Sequence, residues 1–136
     1  MAVCRVKLEK PVLVQDERAG IYSMTLVIPK EVGVATEHAM ELQHFIEEAV
    51  TRCTLVEQLH GIQLPVTIYM MYAEEPMSQY YELILRTTLE ACIEAGVPIY
   101  GIPQAKPYQG RFTILVLEST NEIVGLYHTP SDSRFC

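Results

Sequence analysis

VTIYMMYAEEPMSQYYELILRTTLEACIEAGVPI, residues 66–99, decides the fold. Its opening run, Val66-Thr67-Ile68-Tyr69-Met70-Met71-Tyr72, is rich in β-branched and aromatic side chains and carries no charge. Such a run reads as a strand buried on both faces. Glu74-Glu75-Pro76 breaks it, and Pro76 stands where a helix can begin, because the first turn does not use the missing N–H. From Ser78 to Ala95, the residues Tyr81, Ile84, Leu85, Thr88, Cys92 and Ala95 recur at helical spacing, and Leu83, Thr87 and Ala91 widen the stripe. Glu82, Arg86, Glu90 and Glu94 form a solvated row in which Glu-to-Arg spacing adds support. Gly96 is placed to end the helix in a left-handed turn, and Pro98 prevents its continuation. These residues predict a mostly buried helix packed on a buried strand.

The wording of the same stretch carries a resemblance. An apolar strand, a short loop and a helix ending in Ala95-Gly96-Val97-Pro98 resembles the RNase PH-like domains of phosphorolytic exoribonucleases and of the RNA exosome ring. That family writes the segment as strand, Asp-Gly-Gly or Asp-Ala-Gly, Ser/Thr-Arg, then a helix ending in Ala-Asp-Ala-Gly-Ile-Pro. Counting back from Ala95 without a gap, the family's Asp falls on Met77 and its Ser/Thr-Arg pair on Tyr80-Tyr81. The resemblance makes that Arg the phosphate-binding residue of active members. Tyr81 cannot replace it, since a phenol offers one neutral donor where a guanidinium offers a charged fork.

At 136 residues one domain, spanning residues 1–136, is expected, large enough for a core without staples. A hydrophobic content of 49% with 20% charged residues excludes a disordered chain. No apolar run approaches the ~20 residues needed to cross a bilayer, so no membrane association is expected. Met1-Ala2-Val3-Cys4-Arg5 lacks signal-peptide architecture, which makes an intracellular protein the expectation. Cys4, Cys53, Cys92 and Cys136 show no paired spacing; Cys53 and Cys92 fall on apolar helix faces and read as buried free thiols. The formal net charge is −7, with no Lys/Arg cluster, so the chain is a poor candidate for holding RNA alone. It remains suited to border an RNA path lined by basic partners.

Working outward, Cys4, Val6 and Leu8 alternate with Arg5, Lys7 and Glu9 as a half-buried strand. Residues 11–20 read as a loop carrying Val12-Leu13-Val14, and residues 21–28 as a second strand closed by Pro29. Thr36 is an N-cap for a helix to His60, with Leu42, Phe45, Ile46, Ala49, Val50, Cys53, Val56 and Leu59 as its stripe, ended by Gly61 and Pro65. Residues 100–110 read as a Pro- and Gly-rich loop, and residues 112–117 and 122–127 as a hairpin around Ser119-Thr120-Asn121. The order β-β-α-β-α-β-β predicts an α+β protein with its helices packed on one side of a mixed sheet. This agrees with the fold that the resemblance implies, the ribosomal-protein-S5-domain-2-like arrangement, here shortened at both ends relative to the family.

The resemblance also implies where chemistry should stand. Active members carry acidic residues after the second helix, as Asp-x(5)-Asp before an apolar strand, which help bind a divalent metal for phosphorolysis of RNA 3′ ends. Here Ala105-Lys106-Pro107-Tyr108-Gln109-Gly110-Arg111 leads into Phe112, and no Asp or Glu occurs from Ala95 to Leu117. The family's last Asp aligns approximately with Arg111, a charge reversal that repels a metal. Phosphorolysis depends on electrostatic positioning of phosphate and the 3′ nucleotide, and its groups are missing. Met77, Tyr80, Tyr81 and Arg111 are therefore expected to mark a vestigial phosphate and RNA site, with no catalytic residue, no cofactor and no metal.

Other constellations have blander readings. His38, Glu41, His44 and Glu48 lie along one helix, and His44 with Glu48 has metal-ligand spacing, yet a solvated polar face explains them as well. Cys53 and His60 form a conceivable thiol–imidazole pair, but Cys53 sits on the apolar stripe. Glu74-Glu75 reads as an acid/base pair or as solvated loop carboxylates, and Tyr69, Tyr72, Tyr80, Tyr81 and Tyr100 as base-stacking groups or as core and subunit contacts. The expected function is that of a non-catalytic RNase PH-like subunit, most similar to the short inactive ones of an exosome-type ring. It would support RNA processing and 3′-to-5′ decay by other subunits. The partners implied are other RNase PH-like exosome subunits in a hetero-oligomeric ring, with RNA met indirectly, in the nucleus, nucleolus and cytoplasm. The alternative is a stand-alone small ligand-binding protein or enzyme using the Glu74/Glu75 tyrosine-lined cleft.

Overall fold

The computed structural model describes residues 4–8, 12–13, 22–28, 36–59, 62–70 and 77–129. The elements run β1 (Cys4–Leu8), β2 (Val12–Leu13), β3 (Tyr22–Val27), α1 (Thr36–Cys53), β4 (Ile62–Met70), α2 (Tyr81–Glu94), β5 (Gln104–Tyr108), β6 (Phe112–Leu117) and β7 (Glu122–His128). Short 3-10 turns at Val56–Leu59 and Met77–Tyr80 precede β4 and α2. The protein is α+β, with two helices and two sheets among the described residues.

Strand β4 organises the first sheet. β1 pairs with it antiparallel from Cys4 opposite Met70 to Leu8 opposite Val66, and β2 pairs antiparallel at Gln63 and Ile62. β3 pairs with it in parallel from Tyr22 opposite Leu64 to Val27 opposite Tyr69, with α1 in the crossover. Along β4 the side chains alternate: Leu64, Val66, Ile68 and Met70 are buried, whereas Gln63, Pro65, Thr67 and Tyr69 are half-buried. The expected strand buried on both faces is therefore a strand buried on one. Its uncharged side chains conceal a period of two, since Thr67 and Tyr69 tolerate a partly wet face through their hydroxyls. Pro65, expected to mark a break, lies within β4. It stands opposite Ser23 in the parallel pairing with β3.

Helix α1 ends at Cys53, short of the expected His60. Thr54 instead forms an isolated antiparallel bridge with Ile99, in which Leu55 N–H donates to the Pro98 carbonyl at 3.0 Å and Tyr100 N–H to the Cys53 carbonyl at 2.8 Å. Val56 is consequently off the buried stripe and 39% exposed. Helix α2 ends as its sequence requires. Gly96 takes φ +84°, Gly96 N–H donates to the Ile93 carbonyl at 3.0 Å and Val97 N–H to the Cys92 carbonyl at 2.9 Å. This is the paired cap in which a left-handed glycine lets two amides satisfy the last carbonyls of a helix.

The second sheet is an antiparallel meander, β5-β6-β7, with a register shift between Leu115 and Val116. β5 occupies part of the expected loop at residues 100–110. Two sheets thus replace the single sheet expected from the sequence. α1 joins them, packing on α2, on β3 and on β7, while α2 also packs on β1. The core is one cluster running from Tyr22, Met24 and the inward side of β4 through both helices to Leu115, Leu117 and Val124.

Candidate functional site

The expected vestigial site begins at the 3-10 turn Met77–Tyr80, which passes directly into α2. The Met77 side chain lies outside the described residues. Tyr80 is buried in the core cluster. The Tyr81 ring stacks on Phe45 of α1 with centroids 4.3 Å apart and planes 18° apart. Its edge meets Tyr127 of β7 at 5.2 Å, and Phe45 meets Tyr127 at 5.7 Å and 89°. Three rings from three elements therefore close on one another in offset-stacked and edge-to-face arrangements. Gly125 makes the room: a Cβ there would stand 2.7 Å from Phe45 Cζ.

Two carboxylates act on the phenols of the triad, and one of them, Glu82, is paired with Arg86 at 3.0 Å. Burial, then the Glu41 carboxylate, raises the Tyr81 phenol above its ordinary value. Burial, then Glu82, raises that of Tyr127, while a hydrogen bond with the Thr113 side chain acts the other way. Both phenols are held protonated, chiefly by burial. Arg111 is exposed at the β5–β6 turn, where its carbonyl accepts from Thr129 N–H at 2.9 Å. Thr113, two residues further on, pairs with Tyr127 across the β6–β7 ladder. Tyr127 thus touches Tyr81 on one side and pairs with Thr113 on the other, two residues from Arg111. The groups at the family's Ser/Thr-Arg positions are engaged in packing.

Of the expected tyrosine-lined cleft, Tyr69, Tyr80, Tyr81 and Tyr100 lie among the described residues. Glu74, Glu75 and Tyr72 lie outside the described residues. Tyr69 is half-buried on β4, and Tyr100 is exposed beyond the far end of α2. The 14 residues of α2, about 20 Å of helix, separate Tyr100 from Tyr81. Phe45 and Tyr127 complete the aromatic triad, with Gly125 making its room, without having been expected there. Phe45 had only its place on the helical stripe and Tyr127 only the end of a strand, and neither pattern indicates a partner so distant in sequence.

On the exposed side of α1, His44 Nε2 stands 3.9 Å from Glu48 Oε2 and Arg52 Nη2 3.8 Å from Glu48 Oε1. These groups, with Glu47 and Thr51, line a groove of about 230 Å³. All three are largely exposed and the pairs are long, so they are a solvated ladder. Among the described residues no three His, Cys, Asp or Glu side chains converge as a metal site. His60 lies outside the described residues. The Cys53 thiol is pushed up to about 12 by burial and secondarily by Glu122, and burial raises Cys92 as well, so neither is a reactive thiolate. Beside them the Thr54 hydroxyl donates to the Val50 carbonyl at 2.7 Å. Tyr22 OH lies 2.6 Å from the same hydroxyl, and with the Thr54 proton so placed it is the donor.

Among the described residues, no helix is long and apolar enough to cross a membrane. No protein-family model matches the chain, and no curated protein matches it either.

Proposed function

We propose that the chain is a non-catalytic, RNase PH-like structural subunit of an exosome-type ring, holding its place among larger subunits that handle RNA. The observation that carries this reading is the engagement of Tyr80 and Tyr81. Where the family pattern puts Ser/Thr and a phosphate-gripping arginine, this chain has a buried phenol, Tyr80, and a second, Tyr81, stacked on Phe45 and edge-to-face with Tyr127. The Glu94–Ile99 helix end, with its left-handed Gly96, is the part of the family pattern that the chain retains.

Two measurements test the reading. The isolated chain is expected to show no phosphate-dependent shortening of a labelled RNA. Native mass spectrometry of the complex purified from the chain's own cell is expected to place it with larger RNase PH-like proteins. A purified species containing only this chain, or phosphate-dependent decay by the chain alone, would overturn the proposal.

A further inference from the structure

We propose that the outward face of the β5–β6–β7 sheet is a stacking platform for single-stranded nucleic acid, with Tyr108, Phe112 and His128 taking bases and Lys106 taking phosphates. Cross-strand partners in register project to the same face of a sheet. Tyr108 is opposite Phe112 and Phe112 is opposite His128, so each of the three strands contributes one ring to a single row. The row spans two inter-strand gaps, about 10 Å. Phe112 and His128 already lie with centroids 4.5 Å apart and planes tilted by 39°. The next row on this face is Lys106, Ile114 and Leu126.

The opposite face is engaged, since Leu115 and Leu117 belong to the core and Tyr127 packs against it, whereas Tyr108, Phe112, Ile114 and Leu126 do not. Tyr108 is 41% exposed and Leu126 51%, Phe112 and Ile114 are half-buried, and Val116 in the following row is buried, so the open part of the face is its Tyr108 end. The charge is complementary to a polyanion although the chain carries a net −7: no Asp or Glu occurs from Ala95 to Leu117, a stretch that holds Lys106 and Arg111. Glu118, on the same side of β6 by alternation, is six residues and about 20 Å from Phe112. Glu122, opposite Leu117, falls on the core side. Cations select a phosphate backbone, and exposed rings select one whose bases are unpaired. A duplex or a phospholipid surface offers the charge without accessible base faces.

This inference does not rest on the ring reading, because it is tested on the isolated chain. A fluorescent short oligo(U), the corresponding duplex and anionic vesicles are titrated with the protein at about 50 mM salt. The single strand is expected to bind at least about tenfold tighter than the duplex, and Tyr108→Ala to weaken it about tenfold. Lys106→Glu is expected to weaken binding and reduce its salt dependence. Tyr108→Leu retains apolar bulk without the ring and is expected to match Tyr108→Ala, which excludes misfolding as the cause. Equal binding of duplex and single strand, preference for vesicles, no binding, or wild-type binding by both Tyr108 variants would overturn the proposal.

Discussion

A methyl group at Gly125 would sit 2.7 Å from Phe45 Cζ, and the Phe45 ring has little freedom to move, with Tyr81 lying flat against it and Tyr127 at its edge. Gly125→Ala is therefore expected to destabilise the fold by about 1–3 kcal/mol in urea denaturation, an overpacking cost. A neutral result would mean that the triad shifts as a unit. Burial of the Cys53 thiol makes a separate prediction about pH. The group rises from an ordinary 9.0 to about 12 on folding, so between those values the folded chain keeps a proton that the unfolded chain releases. Its stabilising effect is whole below about pH 9 and is lost as the pH rises toward 12, at up to about 1.4 kcal/mol per pH unit. Tyr22 is also raised, chiefly by burial, and shifts in the same sense from its ordinary value near 10. Cys53→Ala is expected to flatten the alkaline loss of stability by about one proton's worth, read as the slope of unfolding free energy against pH. A slope unchanged from wild type would contradict this. At this scale the sequence names Tyr80, Tyr81 and Arg111 as positions without fixing what surrounds them. The Phe45–Tyr81–Tyr127 contact escaped it because stacking depends on how α1, α2 and β7 meet.

Among the elements, α2 was the most legible, since apolar spacing, the Glu82–Arg86 pair at 3.0 Å and the Gly96–Pro98 stop all agree. A Cβ at Gly96 meets nothing within 4 Å, so the effect of Gly96→Ala is confined to backbone strain at φ +84°. It is expected to cost about 1–2 kcal/mol, measured by thermal unfolding, with Gly96→Asn costing less because Asn tolerates left-handed φ. Equal losses for the two variants would mean that strain at Gly96 is not the cause. β5 was illegible for the opposite reason. Gln104-Ala105-Lys106-Pro107-Tyr108 has neither β-branched residues nor clear alternation, and Pro107 reads as a breaker. As an edge strand among the described residues, β5 accommodates a residue with no N–H, and its pairing with β6 supplies the order that its own residues lack. The end of α1 was misplaced because the apolar spacing continues to Leu59, while the Thr54–Ile99 bridge, set by a residue far along the chain, takes the backbone away first.

At the scale of the molecule, the α+β class and the alternation of strand and helix were legible from the turn signals and periodicities, whereas the division into two sheets was not. That division depends on α1 packing against both β3 and β7, a relation of surfaces. One core cluster spans both sheets, so unfolding is expected as a single transition, with tyrosine near-UV and backbone far-UV circular dichroism changing together. Two separated transitions would show that the meander melts independently. The first sheet has a further property. Among the described residues β1, β2 and β3 pair with β4 alone, and their partners lie between Ile62 and Met70. On a ribosome adding about 5–20 residues per second, Leu8 waits roughly 3–12 s for Val66 and the rest of β4 to be made. During that interval three strands have been synthesised without their partner, and an incomplete chain released before residue 62 has no first sheet to form. The whole sheet is thus timed by the arrival of its central strand, and premature termination before β4 yields a fragment fit for chaperone capture or degradation.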